Sequence, residues 1–261
     1  MEFARIIVQE HNSAFFNMAL DEAISEAVIE KLSPPTLRIY KWEKPSVSIG
    51  YFQKITDINL DHCAQKDYPI VRRPTGGRAI LHESELTYSF SSRYDSLSFK
   101  GRLLEDYSII SKALLSGLKL VGVDANNSLS RERGNGHKNP ACFKAVSYGE
   151  VTVKGKKVIG SAQKRYSNGL LQQGSILLNF NATELHKVLR CGAAEDFSSI
   201  GSIMEYAPEI TFDRLRSSLK EAFETELDIK LIADKPTKHE MKRAKELDMK
   251  KYSSQEWNRL R

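Results

Sequence analysis

Residues 150–178 read EVTVKGKKVIGSAQKRYSNGLLQQGSILL. Alternating apolar and polar side chains predict three strands here, over residues 150–153, 156–163 and 171–180. A Lys154-Gly155 turn joins the first two strands as a hairpin, and the turn signal Ser167-Asn168-Gly169 precedes the third. Because strands that follow one another through tight turns run antiparallel, the segment predicts an antiparallel sheet.

Further strands and helices surround this segment. The predicted strands are residues 36–40, 47–52, 69–72 and 86–91, and the predicted helices are residues 14–32, 103–120, 183–189, 212–227 and 238–249. Regular helices do not separate the strands, which argues against a doubly wound parallel sheet. We therefore expect an α+β fold with a mixed, largely antiparallel sheet flanked by helices. Residues 1–233 would form the catalytic domain, with residues 234–261 as a basic helical extension packed on it.

Composition narrows the class of protein. The chain has 261 residues, of which 41% are hydrophobic and 28% charged, and this excludes wholesale disorder. The sequence lacks a secretory signal and any apolar run approaching the ~18 residues of a membrane span, so we expect a cytoplasmic protein without a membrane partner. Three cysteines without Cys-x-x-Cys or His-x-x-x-His spacing predict neither a disulfide framework nor a metal site.

Positive charge is concentrated near the C-terminal end. Residues 235–261 contain nine basic and four acidic residues, so they carry +5 of the net charge of +6. A basic surface attracts an acidic partner, either nucleic acid or an acidic carrier protein, but the same pattern also fits a solvated amphipathic helix. We find no strand on which aromatic and basic residues alternate, so nucleic acid is not expected.

The segment RRPTGGRAILH, residues 72–82, is the first candidate for a binding site. Arg72 and Arg73 could hold a phosphate or a carboxylate. Gly76 and Gly77 would let a ligand approach backbone N–H groups. The alternative is a tight basic turn on the surface, and the Walker spacing is absent. His82 has no serine and acid at recognisable triad positions, so a serine hydrolase is not expected.

Two reactive side chains are candidates for catalysis. Cys142 stands where a polar loop meets the hairpin, and its thiolate would be a strong nucleophile for acyl transfer. Lys157 lies on the second hairpin strand and could hold a carbonyl oxygen, a phosphate or a thiolate. The alternatives are a small buried hydrophobe for Cys142 and a solvated hairpin lysine for Lys157.

Small residues beside the lysine would leave open space over the sheet. They are Gly160, Ser161, Ala162 and, on the next strand, Gly174. For Gly174 a bulge or a packing glycine is the alternative interpretation.

Taken together and in this order, several segments resemble the lipoate/octanoate attachment family, which is related in fold to biotin–protein ligases. They are residues 13–24 (SAFFNMALDEAI), 35–53 (PTLRIYKWEKPSVSIGYFQ), 72–89 (RRPTGGRAILHESELTYS), 142–143 (CF), 153–178 (VKGKKVIGSAQKRYSNGLLQQGSILL) and 251–258 (KYSSQEWN). The cysteine followed by phenylalanine is the signal for the octanoyltransferase branch of that family.

The resemblance implies roles for individual residues. Cys142 matches the acyl-accepting nucleophile, and Lys157 matches the lysine that contacts the acyl carbonyl. The substrate-pocket segment is matched by Arg72, Arg73, Gly76, Gly77 and His82. The chain departs from the family pattern at Val146, Tyr148 and Gly149, and at Gln173, where a histidine is usual.

The implied reaction moves an octanoyl group from acyl carrier protein to a lysine of an apo lipoyl domain, such as the glycine-cleavage H protein, through a Cys142 thioester. Such a reaction needs no cofactor. An apolar slot for the octanoyl tail would be lined by Ile80, Leu81 and Ile159. The alternatives are an ATP- and Mg²⁺-dependent lipoate–protein ligase and a transferase acting between lipoyl domains.

Overall fold

Two β-sheets form the framework of the computed structural model, which describes residues 2–127, 150–191 and 196–261. The larger sheet has eight strands in the order β11-β1-β2-β6-β10-β9-β8-β7, and the smaller has three in the order β4-β3-β5. The strands are β1 (Glu2–Asn12), β2 (Thr36–Trp42), β3 (Ser46–Ile49), β4 (Ile70–Arg72), β5 (Ile80–His82), β6 (Glu85–Arg93), β7 (Asn126–Asn127), β8 (Val151–Val153), β9 (Lys156–Arg165), β10 (Gly169–Leu177) and β11 (Ile229–Ala233).

Helices lie on both faces of the larger sheet and beside the smaller one. They are α1 (Ala14–Ile29), α2 (Leu60–Gln65), α3 (Leu103–Leu120), α4 (Ala182–Val188), α5 (Phe212–Leu227), α6 (Lys238–Leu247) and α7 (Gln255–Asn258), with a π-helical turn at Asp248–Tyr252. Within the described ranges, no helix is both long enough and apolar enough to cross a membrane. The predicted α+β class is confirmed.

The segment that predicted the fold forms three neighbouring antiparallel strands. Lys154 and Gly155 both have positive φ angles, 48° and 81°, as a two-residue hairpin turn of type I′ requires. Strand β10 then pairs antiparallel with both β9 and β6. This places β10 at the centre of the antiparallel part of the sheet.

The other edge of the larger sheet is parallel, which the sequence analysis did not predict. Strand β1 pairs in parallel with β2 and with β11. Its four residues from Ala4 to Ile7 are all buried, so it lacks the alternation of a strand with one solvated face. Helix α1 provides the crossover from β1 to β2, as parallel neighbours require.

Two apolar layers hold the helices against the larger sheet. Helices α3 and α5 pack on one face around Phe90, Leu114 and Phe223, whereas α1 and α6 pack on the other. Gly117 lets α3 approach α5 closely, because a Cβ atom at this position would lie 2.8 Å from Leu219 Cδ2.

A buried polar network fixes α1 on the sheet. The Asp21 carboxylate accepts hydrogen bonds from Arg38 on β2 (2.6 Å) and Ser89 on β6 (2.7 Å). It also accepts from the Tyr40 hydroxyl (2.8 Å) and the Gln173 amide (2.7 Å). Arg38 and Asp21 are both fully buried, so each charge depends on the other for compensation.

Helix α6 and the π-helical turn pack along α1. Glu240 at the start of α6 forms an ion pair with Arg5 of β1. Arg243 pairs with Glu26 at 2.7 Å, and Lys251 pairs with Glu22 at 2.6 Å. Two of the basic side chains predicted to form a basic surface are therefore neutralised by acidic side chains of α1. The division into units 1–233 and 234–261 remains a prediction.

Replacing Asp21 tests the buried network. Asp21→Asn removes the charge that balances Arg38, so we expect a loss of about 3–5 kcal/mol in the free energy of unfolding. Urea unfolding followed by tryptophan fluorescence measures it. Asp213→Asn is the control, since Asp213 is 73% exposed in its pair with Arg216, and such pairs contribute about 0–1 kcal/mol. Equal losses in the two variants would contradict the prediction.

Candidate active site

A narrow cavity lies where the smaller sheet faces strands β9 and β10. Four apolar or aromatic side chains line it, namely Met18, Tyr40, Trp42 and Ile80. Six of the residues predicted from the sequence line it as well: Arg73, His82, Gly160, Ser161, Ala162 and Gly174. Enclosed apolar clefts with a few polar groups are typical of small-molecule sites.

Gly174 leaves room for a tyrosine at the wall of the cavity. A Cβ atom at position 174 would lie 2.3 Å from Cε1 of Tyr88 and 2.7 Å from Ser161 Oγ. The Tyr88 hydroxyl is hydrogen-bonded to Ser161 (2.7 Å) and accepts from the Gln172 amide (2.8 Å). Burial raises the pKa of Tyr88 to about 12, so the ring stays a neutral phenol.

His82 is the centre of a buried hydrogen-bonded chain. Its Nδ1 lies 2.8 Å from Glu85 Oε1, and its Nε2 lies 2.8 Å from Ser48 Oγ. Because the carboxylate can only accept, Nδ1 carries the proton of the neutral ring and Nε2 accepts from the Ser48 hydroxyl. Burial lowers the pKa of His82, and Trp42 stacks on the ring at 3.8 Å.

This hydrogen-bonded chain places a serine and an acid beside His82, although neither was recognisable at a triad position in the sequence. Glu85 is only 8% exposed. Ser48 Oγ also accepts a hydrogen bond from Arg73 Nη1 (3.1 Å), so the chain runs from Glu85 through His82 and Ser48 to Arg73.

Arg73 holds the loop that carries the two glycines. Its guanidinium donates to the carbonyl oxygens of Gly76 (2.8 Å), Arg78 (2.8 Å) and Ser48 (3.2 Å). We call residues 73–78 the arginine–glycine loop. Gly76 and Gly77 do not line the cavity themselves.

Gly77 has a φ of +87°, and its carbonyl oxygen lies 1.9 Å from where a Cβ atom of Gly50 would be. Gly50 and Gly77 therefore allow the backbone after β3 and the backbone of the arginine–glycine loop to approach each other closely.

Arg72 is not among the described residues that line the cavity, so its assignment to substrate binding stays a prediction. The side chain is fully buried, and its guanidinium donates to five backbone carbonyl oxygens. They belong to Gly50, Tyr51, Gln53, Trp257 and Asn258. Adjacent residues of a strand point to opposite faces, which explains why Arg72 and Arg73 differ.

Lys157 is buried beside Glu150, which the sequence analysis did not single out as a partner. Its ammonium lies 2.5 Å from Glu150 Oε1, and its side chain is 1% exposed. Cys142 lies outside the described residues, so its contact with Lys157 stays a prediction. Among the residues that the structure describes, no group of three or more His, Cys, Asp or Glu side chains could hold a metal ion.

The predicted apolar slot is only partly correct. Ile80 lines the cavity, whereas Leu81 lines a neighbouring one and Ile159 packs into the core beneath the sheet. Met18, Trp42 and Ser48 also line the cavity and were not predicted from the sequence. Their positions on α1, β2 and β3 become visible only when the two sheets are assembled.

Gln173, where the family resemblance implies a histidine, bridges the cavity wall. Its amide nitrogen donates to Asp21, and its amide oxygen accepts from the Thr75 hydroxyl at 2.8 Å. The side chain thus ties the arginine–glycine loop to α1. Both ends of the amide are satisfied by protein, so the departure from histidine is accommodated without an unpaired polar group.

Comparison with known protein families identifies the class to which the chain belongs. Residues 13–224 match the lipoyl protein ligase A/B catalytic domain. The chain therefore belongs to this family.

Its relatives include octanoyltransferases named LipM. The chain is 37% identical to LipM of Bacillus cereus over 94% of each chain, and 37% identical to LipM of Kyrpidia tusciae over 99% of each. These relatives confirm the prediction of an acyltransferase.

Solved structures of lipoate–protein ligases share the fold. A lipoate-protein ligase A bound with ATP superposes with a TM-score of 0.84 at 26% identity, covering 99% of each chain. A putative lipoate protein ligase from T. acidophilum with bound lipoic acid gives a TM-score of 0.82 at 25% identity, covering 100% of each.

Two glycine replacements distinguish the glycine that shapes the cavity from one that does not. Gly174→Ala forces Tyr88 to move, so we expect a loss of about 1–3 kcal/mol in the free energy of unfolding. Gly76→Ala meets no atom within 4 Å, and we expect a change within about 0.5 kcal/mol. Denaturant unfolding of both variants measures this. A Gly174 variant as stable as the Gly76 variant would refute the packing argument.

Acid destabilisation tests the neutral state of His82. The folded pKa of His82 lies below its ordinary value of 6.5, so the unfolded chain takes up a proton at higher pH than the folded chain. This contribution to stability is fully present above pH 6.5 and is lost as pH falls through the folded pKa. We expect the unfolding free energy to fall more steeply between about pH 7 and 5 in the wild type than in His82→Gln. Parallel slopes would show that His82 does not contribute.

Proposed function

We propose that this chain transfers an octanoyl group from acyl carrier protein to a lysine of an apo lipoyl domain. The observation that supports it most directly is the similarity, over nearly the full length, to octanoyltransferases. The cavity fits this role because its lining is mainly apolar and narrow. An aliphatic tail buried there would gain about 0.8 kcal/mol per methylene group.

In the proposed first step, the Cys142 thiolate attacks the thioester carbonyl of the octanoyl donor. The new bond joins Cys142 Sγ to the acyl carbon, the bond from that carbon to the carrier sulfur breaks, and the carrier leaves as a thiol after taking up a proton. Exchange of one thioester for another is nearly isoenergetic, so the step requires no ATP.

In the second step, the neutral amine of the acceptor lysine attacks the Cys142 thioester. A C–N bond forms, the C–S bond breaks, and the proton lost by the amine restores the Cys142 thiol. Lys157 would stabilise the oxyanion in both steps, and one such contact contributes about 3 kcal/mol. Glu150 supports this role by holding the lysine ammonium inside the protein.

The other two cysteines are poor candidates for the nucleophile, and this favours Cys142. Cys63 is 1% exposed, and burial raises the pKa of its thiol to about 11, so little thiolate forms at neutral pH. The Cys191 thiol donates to the carbonyl oxygen of Leu189, and neither cysteine is among the residues that line the cavity.

Basic residues at the C-terminal end would dock acidic carrier proteins. Of the nine basic residues in 235–261, Arg243 and Lys251 pair with acids of α1, while Lys235, Lys238 and Arg259 are exposed. A surface of this sign would accelerate association with an acidic donor or an acidic acceptor at low ionic strength. The glycine-cleavage H protein is the acceptor that we propose.

Intact mass measurement tests the thioester. After incubation with octanoyl acyl carrier protein alone, the wild-type chain should gain one octanoyl group as a hydroxylamine-sensitive adduct. Cys142→Ser should form no such thioester, and Cys63→Ser should be acylated like the wild type. Transfer to apo H protein should require Cys142 and proceed without ATP.

Two outcomes would replace this proposal with its alternatives. Activity that survives in Cys142→Ser and requires ATP, Mg²⁺ and free octanoate or lipoate would identify a ligase. Acylation by an octanoylated lipoyl domain but not by acyl carrier protein would identify a transferase between lipoyl domains.

A further inference from the structure

We propose that residues 253–261, the C-terminal clasp, position the loops that border the acyl cavity and are thereby needed for catalysis. This inference rests on the proposed function in taking the cavity as the acyl site. Its basis is the unusual set of partners around Arg72, whose buried guanidinium donates to five backbone carbonyl oxygens.

Arg72 joins the clasp to the turn that follows β3. Its guanidinium donates to Gly50 (2.9 Å) and Gln53 (2.6 Å) on one side, and to Trp257 and Asn258 (3.1 Å each) on the other. We call residues 50–53 the β3 turn. The carbonyl oxygens of Trp257 and Asn258 lie at the end of α7, where helical carbonyls lack intrahelical partners. The clasp therefore supplies part of the negative potential that the buried guanidinium requires.

The clasp also bonds to the backbone of Arg72 itself. The Arg72 N–H donates to the side-chain oxygen of Asn258 at 2.8 Å, and the Trp257 indole N–H donates to the Arg72 carbonyl oxygen at 2.8 Å. Asn258 in turn donates to the carbonyl oxygens of Tyr252 and Ser254, which fixes its side chain. Both the backbone N–H and the backbone carbonyl oxygen of Arg72 are thus hydrogen-bonded to the clasp.

Arg72 is connected to the cavity wall in two ways. The next residue, Arg73, lines the cavity. The β3 turn contacts the arginine–glycine loop directly, because the Tyr51 N–H donates to the Thr75 carbonyl oxygen at 2.9 Å. The Thr75 hydroxyl then donates to Gln173, another residue of the cavity wall.

The remaining contacts of the clasp lie close to the same loops. Trp257 packs near Tyr51, with ring centroids 5.7 Å apart, and the Ile55 N–H donates to the Arg261 carbonyl oxygen at 2.9 Å. The clasp residues are exposed or half-buried, and the Trp257 ring also packs against the apolar cluster that holds α1 and α6. The hydrogen bonds of the clasp to Arg72 and Ile55 nevertheless bear directly on the geometry of the loops.

Two variants test the clasp with little disturbance of packing. Asn258→Ala removes the acceptor for the Arg72 N–H, and Trp257→Phe removes the indole donor while keeping an aromatic ring. Gln255→Ala, at an exposed position of the same helix, is the matched control. Asn258→Asp keeps an acceptor oxygen for the Arg72 N–H and should recover part of any loss.

Hydrogen–deuterium exchange measures the local stability of the two loops independently of enzyme activity. In Asn258→Ala and Trp257→Phe, peptides covering residues 50–53 and 73–78 should exchange at least tenfold faster, while peptides from α3 and α5 keep the wild-type rate. The rate of octanoyl adduct formation at saturating octanoyl carrier protein should fall at least tenfold. The carrier concentration for half-maximal rate should change less than threefold.

The outcomes separate the two proposals. Exchange within twofold of the wild type in both variants would overturn the clasp, and so would an unchanged acylation rate at saturating donor. If the wild-type chain takes up no octanoyl group, the proposed function fails, and loop exchange alone then decides whether the clasp positions the loops.

Discussion

The buried carboxylate of Asp21 is the constraint on which the site depends. It receives four hydrogen bonds, from β2, β6 and β10, while sitting on α1. One of the four donors, Gln173, continues the network into the arginine–glycine loop through Thr75. A fully paired buried network restricts the structure to one arrangement, because any other leaves a charge or a polar atom without a partner. The position of the cavity wall is therefore tied to the core of the sheet.

Local sequence signals predicted the antiparallel half of the sheet because they are strong there. The Lys154-Gly155 turn specifies a hairpin, and apolar and polar residues alternate along Leu86–Ser91. The parallel edge was missed because Ala4–Ile7 is buried throughout, Arg5 included, and so lacks the alternation of a strand with one solvated face. Strand β11 is short and is recognisable only through its pairing with β1.

Residue type predicted the candidate site better than it predicted individual roles. The small residues on β9 and β10 do border the cavity, since strand alternation and a missing side chain are local properties. The two adjacent arginines have different roles because successive strand residues face opposite sides, one toward the cavity and the other toward α7. The partner of Arg72 is 186 residues away in the chain, a distance over which a single sequence carries no contact information.

The His82–Glu85 pair shows why burial is difficult to predict from sequence. The two residues are close in sequence, and their spacing would have allowed a contact across a tight bend. Burial decided the outcome: Glu85 is enclosed with His82, whereas Glu83, two residues earlier, is not among the buried residues. Sequence pattern gives the side of a strand on which a carboxylate lies, but only the assembled sheets show whether water reaches it.

The parallel pairing of β1 with β11 has a consequence for biosynthesis. Glu2 pairs with Ile229, so the ribosome must add 227 residues after Glu2 before this partner exists. At about 5–20 residues per second, translation of that stretch takes roughly 10–45 s. Throughout this interval the nascent chain presents one open strand edge with unpaired amide and carbonyl groups, which is the feature that chaperones and aggregating chains both recognise.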